Sequence, residues 1–469
     1  MALSKIWSVF IIISILAATF QAIFVKGHSD IFSRMVVGES GDTTNTRTAD
    51  TTKLSPAIMS MLAQGKDYVD GTTVYARTAD GAYIKYYKQR ADGVVGTAKV
   101  AVDISINLIG IMALFMGFMS IADKAGGIRL LSKIIGPFFS KLFPELPKNH
   151  PAMGHMVMNF SANLLGLDNA ATPFGLKAME SLQEINPNKD TASNSQVMFL
   201  CLHASGLTLI PVSIIAIRAS LHASNPTDIF IPCMIATFMA TIAAMMVVSF
   251  KQKINVFQPV ILMWVLGISA VIAGLVIYLK SLSFTGVQTF SGILSNGLIL
   301  FIFFIITLGG FYKKIDVFGA FIDGAKGGFE IAVKIIPYLV GMLVAISLLR
   351  TSGTFEFIVD GMRSFFAWIG TDTRFVDGLP TALIKPLSGS AARGMMVDTM
   401  TTFGSDSFAG SLSSVLQGSS DTTFYVVAVY YGAVSVKNTR YTIGAMLLAD
   451  LVGIITAILL AYLFFGNAV

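Results

Sequence analysis

Long apolar runs alternate with short polar connections along most of the chain. Runs of roughly 20 mostly apolar residues, the length that crosses the hydrocarbon core of a bilayer, occur at 5–25, 98–122, 195–217, 228–250, 256–279, 290–312, 327–349, 420–436 and 441–465. The pattern predicts an all-α polytopic membrane protein with about nine transmembrane spans. Two stretches break the rhythm: "MNFSANLLGLDNAATPFGLKAME" (158–180) and "LIKPLSGSAARGMMVDTM" (383–400) are too polar for lipid and too apolar for soluble loops. Backbone freed by Gly and Pro persists at membrane depth only where it is buried in protein or lines a watery cavity. Each stretch is therefore expected to be a re-entrant hairpin that dips in without crossing.

The first run has the composition of a signal peptide, but it is long and no small-x-small cleavage site closes it, so residues 1–25 are read as a retained anchor. Residues 28–92 contain no spanning run. They are rich in Thr, Asp, Gly and Tyr, and "TTVYARTADGAYIKYYKQ" alternates about Asp80-Gly81 as a hairpin does, which predicts a small extramembrane insert.

Composition agrees with the pattern. With 54% hydrophobic and only 13% charged residues and a mean hydropathy of +0.71, the chain holds more apolar surface than one soluble core needs. The net charge of +6 is spread among loops, and no basic patch or nucleic-acid motif concentrates it. Lys5, Lys124, Arg129, Lys133, Lys141, Lys148, Lys251, Lys253, Lys313, Lys314, Lys437 and Arg440 fall on one side if both odd stretches are hairpins. That side should be the cytoplasm, which places the N-terminus inside and both the 28–92 insert and the C-terminus outside. Cys201 and Cys233 lie in apolar runs and support neither a disulfide framework nor a metal cluster. The sequence "SGS" at 388–390 has no histidine in its half of the chain, and no HExxH, P-loop or dinucleotide fingerprint occurs, so no enzyme and no cofactor are expected.

The chain also repeats itself. "GVVGTAKVAVDISINLIGIMA" (93–113) aligns without a gap on "GAKGGFEIAVKIIPYLVGMLV" (324–344), with Gly93 over Gly324, Leu108 over Leu339 and Gly110 over Gly341. Each copy continues with an amphipathic stretch suited to the membrane interface, an odd stretch and two spans. Five crossings separate the two starts, so the copies should be inverted. Inverted repeats with broken helices are the sequence mark of secondary transporters.

The chemistry concentrates in the odd stretches and just after them. The first offers Asn159, Ser161, Asn163, Asp168, Asn169 and Thr172. A half-helix starting at Asp168 would present free N–H groups to a polar ligand, although Asp168 or Asn169 could equally be plain N-caps. The second carries Ser388, Ser390 and Arg393 together with Lys385. Its cations would complement the first hairpin, or would pair with Asp398 or snorkel to the surface. Gln417, Ser420, Asp421 and Thr422 cluster oxygens suited to a coupling Na⁺ or H⁺, while an N-cap role explains Asp421 as well. Ser205 and Thr208 do so more weakly, and His203 in the third span reads first as a satisfied core histidine.

Several long motifs resemble known families. "FPELPKNHPAMGHMVMNFSANLLGLDNAATPFGLKAMESLQEINPNKDTAS" resembles the spore maturation protein A family, and "GAKGGFEIAVKIIPYLVGMLVAI", "PLSGSAARG", "GSDSF" and "QGSSDTTFYVVAVYYG" resemble spore maturation protein B. The resemblance covers about 98–250 and 256–465, as in a fusion of two proteins, and has no counterpart for the insert. It implies two gate, or nucleoside recognition, domains of the kind shared with concentrative nucleoside transporters and ferrous-iron transporters. The expected organisation is an anchor at 1–25, an extracytoplasmic insert at 28–92, an A-like gate domain at 93–250 and a B-like gate domain at 256–469. The expected function is secondary transport of a small polar or nucleoside-like solute across the bacterial inner membrane. The alternative is a non-transporting scaffold in envelope assembly, and in either case the chain could form a homo-oligomer.

Overall fold

The computed structural model describes residues 2–25, 30–48, 56–63, 68–70, 73–77, 83–91, 93–147, 150–164, 168–208, 210–282 and 284–466. The chain opens with α1 (Ala2–Phe24), then the insert: α2 (Ile31–Val37), β1 (Glu39–Thr48), α3 (Pro56–Ala63), β2 (Tyr68–Asp70), β3 (Thr73–Arg77) and β4 (Tyr83–Ala91). The four strands form one antiparallel sheet in the order β1-β4-β3-β2. The expected hairpin is the β3–β4 pair, with Thr73 opposite Tyr87 and Arg77 opposite Tyr83; its Asp80-Gly81 turn lies outside the described residues. The membrane part is helical, and the strands among the described residues are confined to the insert.

The first repeat runs α4 (Val94–Lys124), α5 (Gly127–Leu142), α6 (Pro151–Leu164), α7 (Asp168–Glu184), α8 (Asn194–Ala204), α9 (Val212–Ser220) and α10 (Phe230–Gln252). Two connecting spans follow, α11 (Pro259–Ser281) and α12 (Phe284–Tyr312). The second repeat runs α13 (Val317–Thr351), α14 (Thr354–Trp368), a 3₁₀ turn (Arg374–Asp377), α15 (Leu379–Ile384), α16 (Gly389–Phe403), α17 (Phe408–Gly418), α18 (Thr423–Ala433) and α19 (Thr442–Phe465). The two series correspond element for element. In each, the long helix turns into the amphipathic one at a left-handed glycine, Gly126 (φ 85°) and Gly353 (φ 69°), where a side chain would be strained. The turn into α14 is 74°.

Two predicted spans need correction. The run at 195–217 is two half-helices, α8 and α9, interrupted at 205–211; Gly206 takes φ 64°, and Pro211 has no N–H with which to continue the ladder. The run at 420–436 is only the second half of a broken span that begins at Phe408: α17 and α18 are separated at 419–422. The polar residues of this second break hide α17 from a hydropathy window. Among the described residues six helices are long and apolar enough to cross alone, and the bent pair of α13 and α14 makes a seventh candidate; counting each broken span as one passage would give the nine expected.

The repeats meet along α4 and α13, which pack antiparallel, as inverted copies must. Lys124 at the end of α4 pairs with Asp323 near the start of α13 (2.6 Å). A Cβ added at Gly324 would lie 2.2 Å from the Met116 carbonyl oxygen, and one at Gly328 2.6 Å from that of Met112. The glycines, four residues apart on one helix face, let the backbones touch, the close small-residue packing used where lipid supplies no hydrophobic drive for association. α1 lies against α13, with the Trp7 indole donating to the Gly341 carbonyl (2.9 Å) and the Gln21 amide to that of Ser352 (2.8 Å). Met263, Leu266 and Val271 of α11 are exposed, as a lipid-facing helix requires.

The repeats are also clasped at both ends of the broken spans. Beyond α9, Ser224 donates its N–H and hydroxyl to Asp406 (2.9 and 2.6 Å), and the fully buried Arg218 donates to the Ser405 carbonyl (2.9 Å) while pairing with Asp228 (3.0 Å). Before α8, the N–H groups of Lys437 and Asn438 both donate to the Asp190 carbonyl (2.9 Å each), and Ala192 N–H donates to that of Asn438 (2.9 Å). In each clasp, the connection after one repeat's broken span grips the connection after the other repeat's hairpin.

Candidate functional site

The site is built where the two broken spans cross. α8 ends at Ala204, and its carbonyl, which has no partner within its own helix, accepts the N–H of Asp421 from the other break (2.8 Å). Gly206 is required here twice over, by its positive φ and because a Cβ would lie 3.2 Å from that same nitrogen. Ser205 closes the α8 end, its hydroxyl donating to the Leu202 carbonyl (2.7 Å) and lying 2.9 Å from that of Thr241. At the end of α17, the buried Lys385 ammonium donates to the carbonyls of Leu416 (3.2 Å) and Gln417. A cation set against the negative end of a helix satisfies carbonyls that the break leaves open.

The hairpins reach this crossing from both sides. In the second, the Pro386 carbonyl accepts the N–H of Phe424 at the start of α18 (2.9 Å), and the Gly389 carbonyl accepts the Gln417 amide (3.4 Å). A Cβ at Gly389 would lie 2.5 Å from Thr422 Oγ1, so only glycine allows this approach. In the first, the Asn159 amide ties α6 to α7 by donating to the Ala171 carbonyl (2.7 Å). A Cβ at Gly175 would lie 2.5 Å from the Tyr430 ring, so α7 leans directly on α18.

Between these elements lies a cavity of about 330 Å³ with a mainly polar wall. Asn163 and Thr172 line it from the first hairpin, Lys385, Gly389 and Arg393 from the second, and His203, Thr208, Gln417, Ser420, Asp421 and Thr422 from the breaks. Seven of the sequence-predicted residues thus share one cavity wall: Asn163, Thr172, Arg393, Gln417, Ser420, Asp421 and Thr422. Asn159 is fully buried one layer behind, within hydrogen-bond reach of His203. Ser161 belongs elsewhere: α6 is helical through Leu164, so positions 159 and 163 share a face and 161 points away, to the Val157 carbonyl (2.7 Å) and the hydroxyl of Ser132 on α5 (3.2 Å). Ser388 is not in the wall either. It caps α16 by accepting the Ala391 N–H (3.2 Å), and Ser390 lies 3.2 Å from its hydroxyl. Asp168 and Asn169 open α7, and their side chains lie outside the described residues.

Of the alternatives offered for the cations of the second hairpin, Asp398 is not the partner of Lys385: Asp398 meets Arg350 of α13 through three contacts of 2.5 to 2.9 Å, and Lys385 and Arg393 line the cavity. Asp421 is not the cap of α18 in the usual sense. Its Oδ1 accepts the N–H of the adjacent Thr422 (2.6 Å), while its Oδ2 lies 3.9 Å from His203 Nε2.

A family profile described as gate, nucleoside recognition, matches residues 105–221 and 332–437. Spore maturation protein B of Bacillus subtilis (strain 168) is 48% identical over 163 residues, which cover 35% of this chain and 90% of that protein. Spore maturation protein A of the same organism is 43% identical over 150 residues, covering 32% of this chain and 76% of that protein. The chain belongs to the spore maturation protein A and B families. It joins a relative of each in one polypeptide, with a gate domain in each inverted repeat. No solved structure matches it.

In this family member the residues that sequence reasoning underrated are His203, Lys385 and Tyr430, all buried and all in the cavity wall. His203 gave a signal, as the one histidine inside a predicted span. Tyr430 gave none, since an aromatic in an apolar run reads as core. Its place is set by Gly175, distant in sequence.

Proposed function

We propose that the protein is a secondary transporter moving a small polar solute, nucleoside-like compounds being the first class to test, across the bacterial inner membrane on a Na⁺ or H⁺ gradient. The observation that carries the reading is the polar cavity of about 330 Å³ at the crossing of the two breaks, walled by both hairpins. A scaffold would need the hairpins only to pack against each other, and dry packing serves that purpose better. Here Gly206, Gly389 and Gly175 bring backbones and rings close around a space lined with hydroxyls, amides and charges. The volume lies at the low end of the range for small-molecule sites, about 300–1,000 Å³. The gate family's description, nucleoside recognition, supports the same class.

In this reading Arg393 and Lys385 face the electron-rich part of the solute, and Asp421, Gln417 and Thr172 bond its donors. Gln417 Oε1 has no hydrogen-bond partner among the described residues, so a solute donor can complete it. The clasps Ser224–Asp406 and Asn438–Asp190 stand at opposite ends of the first broken span, where alternating access needs its two gates. The loop charges favour a cytoplasmic N-terminus with the insert and C-terminus outside.

The test is flux of a labelled panel of nucleosides, amino acids and organic acids into proteoliposomes holding the full chain, Asp421→Asn or Arg393→Ala. At least one solute should move saturably in the parent. Each variant should lower that flux about tenfold, the effect of losing one charged hydrogen bond of about 1.5 kcal/mol. Equal flux in all three for every solute that moves would sink the site; no saturable flux of any solute would sink the transport reading.

A further inference from the structure

We propose that His203 is the proton-carrying group of this site, its ring becoming charged with Nε2–H set against Asp421, so that the coupling ion is H⁺ and not Na⁺. The inference rests on the transport reading. It starts from the way the ring is held. Asn159 and Asn163, one turn apart on α6, both reach Nδ1: Asn159 Oδ1 at 3.0 Å and Asn163 Nδ2 at 2.9 Å. The Asn159 amide is oriented by its bond to the Ala171 carbonyl, so its oxygen is what faces the ring.

One ring nitrogen therefore has both an acceptor and a donor beside it. When Nδ1 is bare it accepts from Asn163, and when it carries a proton it donates to Asn159. A buried polar group left unpaired costs about 1–3 kcal/mol, and this pair of asparagines removes that cost in both protonation states. A histidine that only fills a core needs one partner and one state.

The other nitrogen faces Asp421, the one carboxylate that the described residues bring to the cavity wall. Nε2 lies 3.9 Å from Asp421 Oδ2, with His203 5% exposed and the Asp421 side chain 48% exposed. The distance is too long for a hydrogen bond and leaves room for the pair to close when the ring gains its proton. The remaining neighbours do not compete for that role. Thr172 comes from α7, the Tyr430 ring of α18 stands edge-on at 4.8 Å, and Phe199 of α8, the helix of His203 itself, lies at 6.0 Å. Lys385 and Arg393 of the second hairpin share the cavity, and Asp450 of α19, behind the break, is held by the Thr423 hydroxyl (2.6 Å).

The same inventory argues against a bound cation. Two cations line the same space. The step is a proton transfer alone: an O–H of hydronium in the cavity breaks as the ring's second N–H forms, so that Nδ1–H goes to Asn159 and Nε2–H faces Asp421, and the reverse follows when the breaks part toward the other side.

Imidazole ¹⁵N NMR of the full chain in nanodiscs, between about pH 5 and 8, tests this without any solute. His203 should be protonated on both nitrogens at the acid end and on one at the alkaline end. Its proton affinity should fall about tenfold or more in Asp421→Asn, as when a carboxylate within about 4–6 Å is neutralised, and return in Asp421→Glu. Replacing His28, His150, His155 and His222 by Gln leaves His203 as the sole reporter and keeps the site intact. A ring that stays neutral in one tautomer throughout overturns the assignment, as does an affinity unchanged in Asp421→Asn. Proton uptake by His203 in a chain that moves no solute would uphold the proton site and remove the transport reading; saturable flux with a neutral ring would do the reverse.

Discussion

Asp421 donates its backbone N–H to the carbonyl oxygen of Ala204 at 2.8 Å, so the two broken spans, one from each repeat, are joined at their breaks. An interrupted helix leaves carbonyls without partners, and lipid offers none. By crossing where they are interrupted, the spans satisfy one another, and the space beside the crossing is forced to be polar. Inversion of the repeats makes the meeting possible, because it brings corresponding segments to the same depth from opposite sides.

Gly206→Ala should weaken that crossing. The residue would have to hold φ 64° and place its Cβ 3.2 Å from Asp421 N, and left-handed backbone alone costs about 1–2 kcal/mol for a residue with a side chain. Equilibrium unfolding in mixed micelles should register this loss. Gly110→Ala, where a Cβ meets nothing within 4 Å, should be neutral or stabilising.

The contact between the repeats discriminates between neighbouring glycines of α13. At Gly328 a Cβ would strike the backbone of Met112 and Ala113 at 2.6 to 2.8 Å, whereas at Gly327 it enters open space. Gly328→Ala should cost about 1–3 kcal/mol, the range for overpacking, and Gly327→Ala should cost nothing measurable. The same unfolding assay decides it, and equal behaviour of the two would contradict the α4–α13 register.

Arg350 and Asp398 are 9% and 13% exposed in their side chains, so removing one leaves a charge with little water. Asp398→Leu should destabilise by about 3–5 kcal/mol, and the double variant Arg350→Met/Asp398→Leu should recover much of that loss. Glu356, 3.4 Å from Arg350 Nη1, keeps part of the compensation in the single variant. A double-mutant cycle with no coupling would show that the pair is not formed in the membrane.

Within the Ser224 clasp, the two acids beside Arg218 should rank. Asp228 stands at 3.0 Å with 23% exposure, and Asp406 at 3.6 Å with 46%. Because Arg218 is fully buried, neutralising its nearer partner is the costlier change. Asp228→Asn should lower stability more than Asp406→Asn, while only Asp406→Asn should loosen the Ser224 loop, read as faster amide exchange at Ser224.

The chain's own pattern determined the class of fold, the nine passages, the amphipathic helix after each long helix, the two hairpins and the inversion. These rest on local properties: apolar length, periodicity, and glycines and prolines that cannot continue a helix in lipid. It also marked Asn163, Thr172, Arg393 and the Gln417–Thr422 cluster, because polar groups in apolar surroundings stand out wherever they fall. Tertiary structure decided the rest. That α17 belongs to the same broken span as α18 depends on packing, since its polar face is paid for by neighbours and not by its own composition. Which face of α6 meets the cavity, and therefore why Asn159 holds His203 while Ser161 turns to Ser132, depends on the helix being placed between α5 and α8. The meeting of Ala204 with Asp421, and of Gly175 with Tyr430, joins residues more than 200 positions apart, and no local pattern encodes a contact whose partner lies in the other repeat.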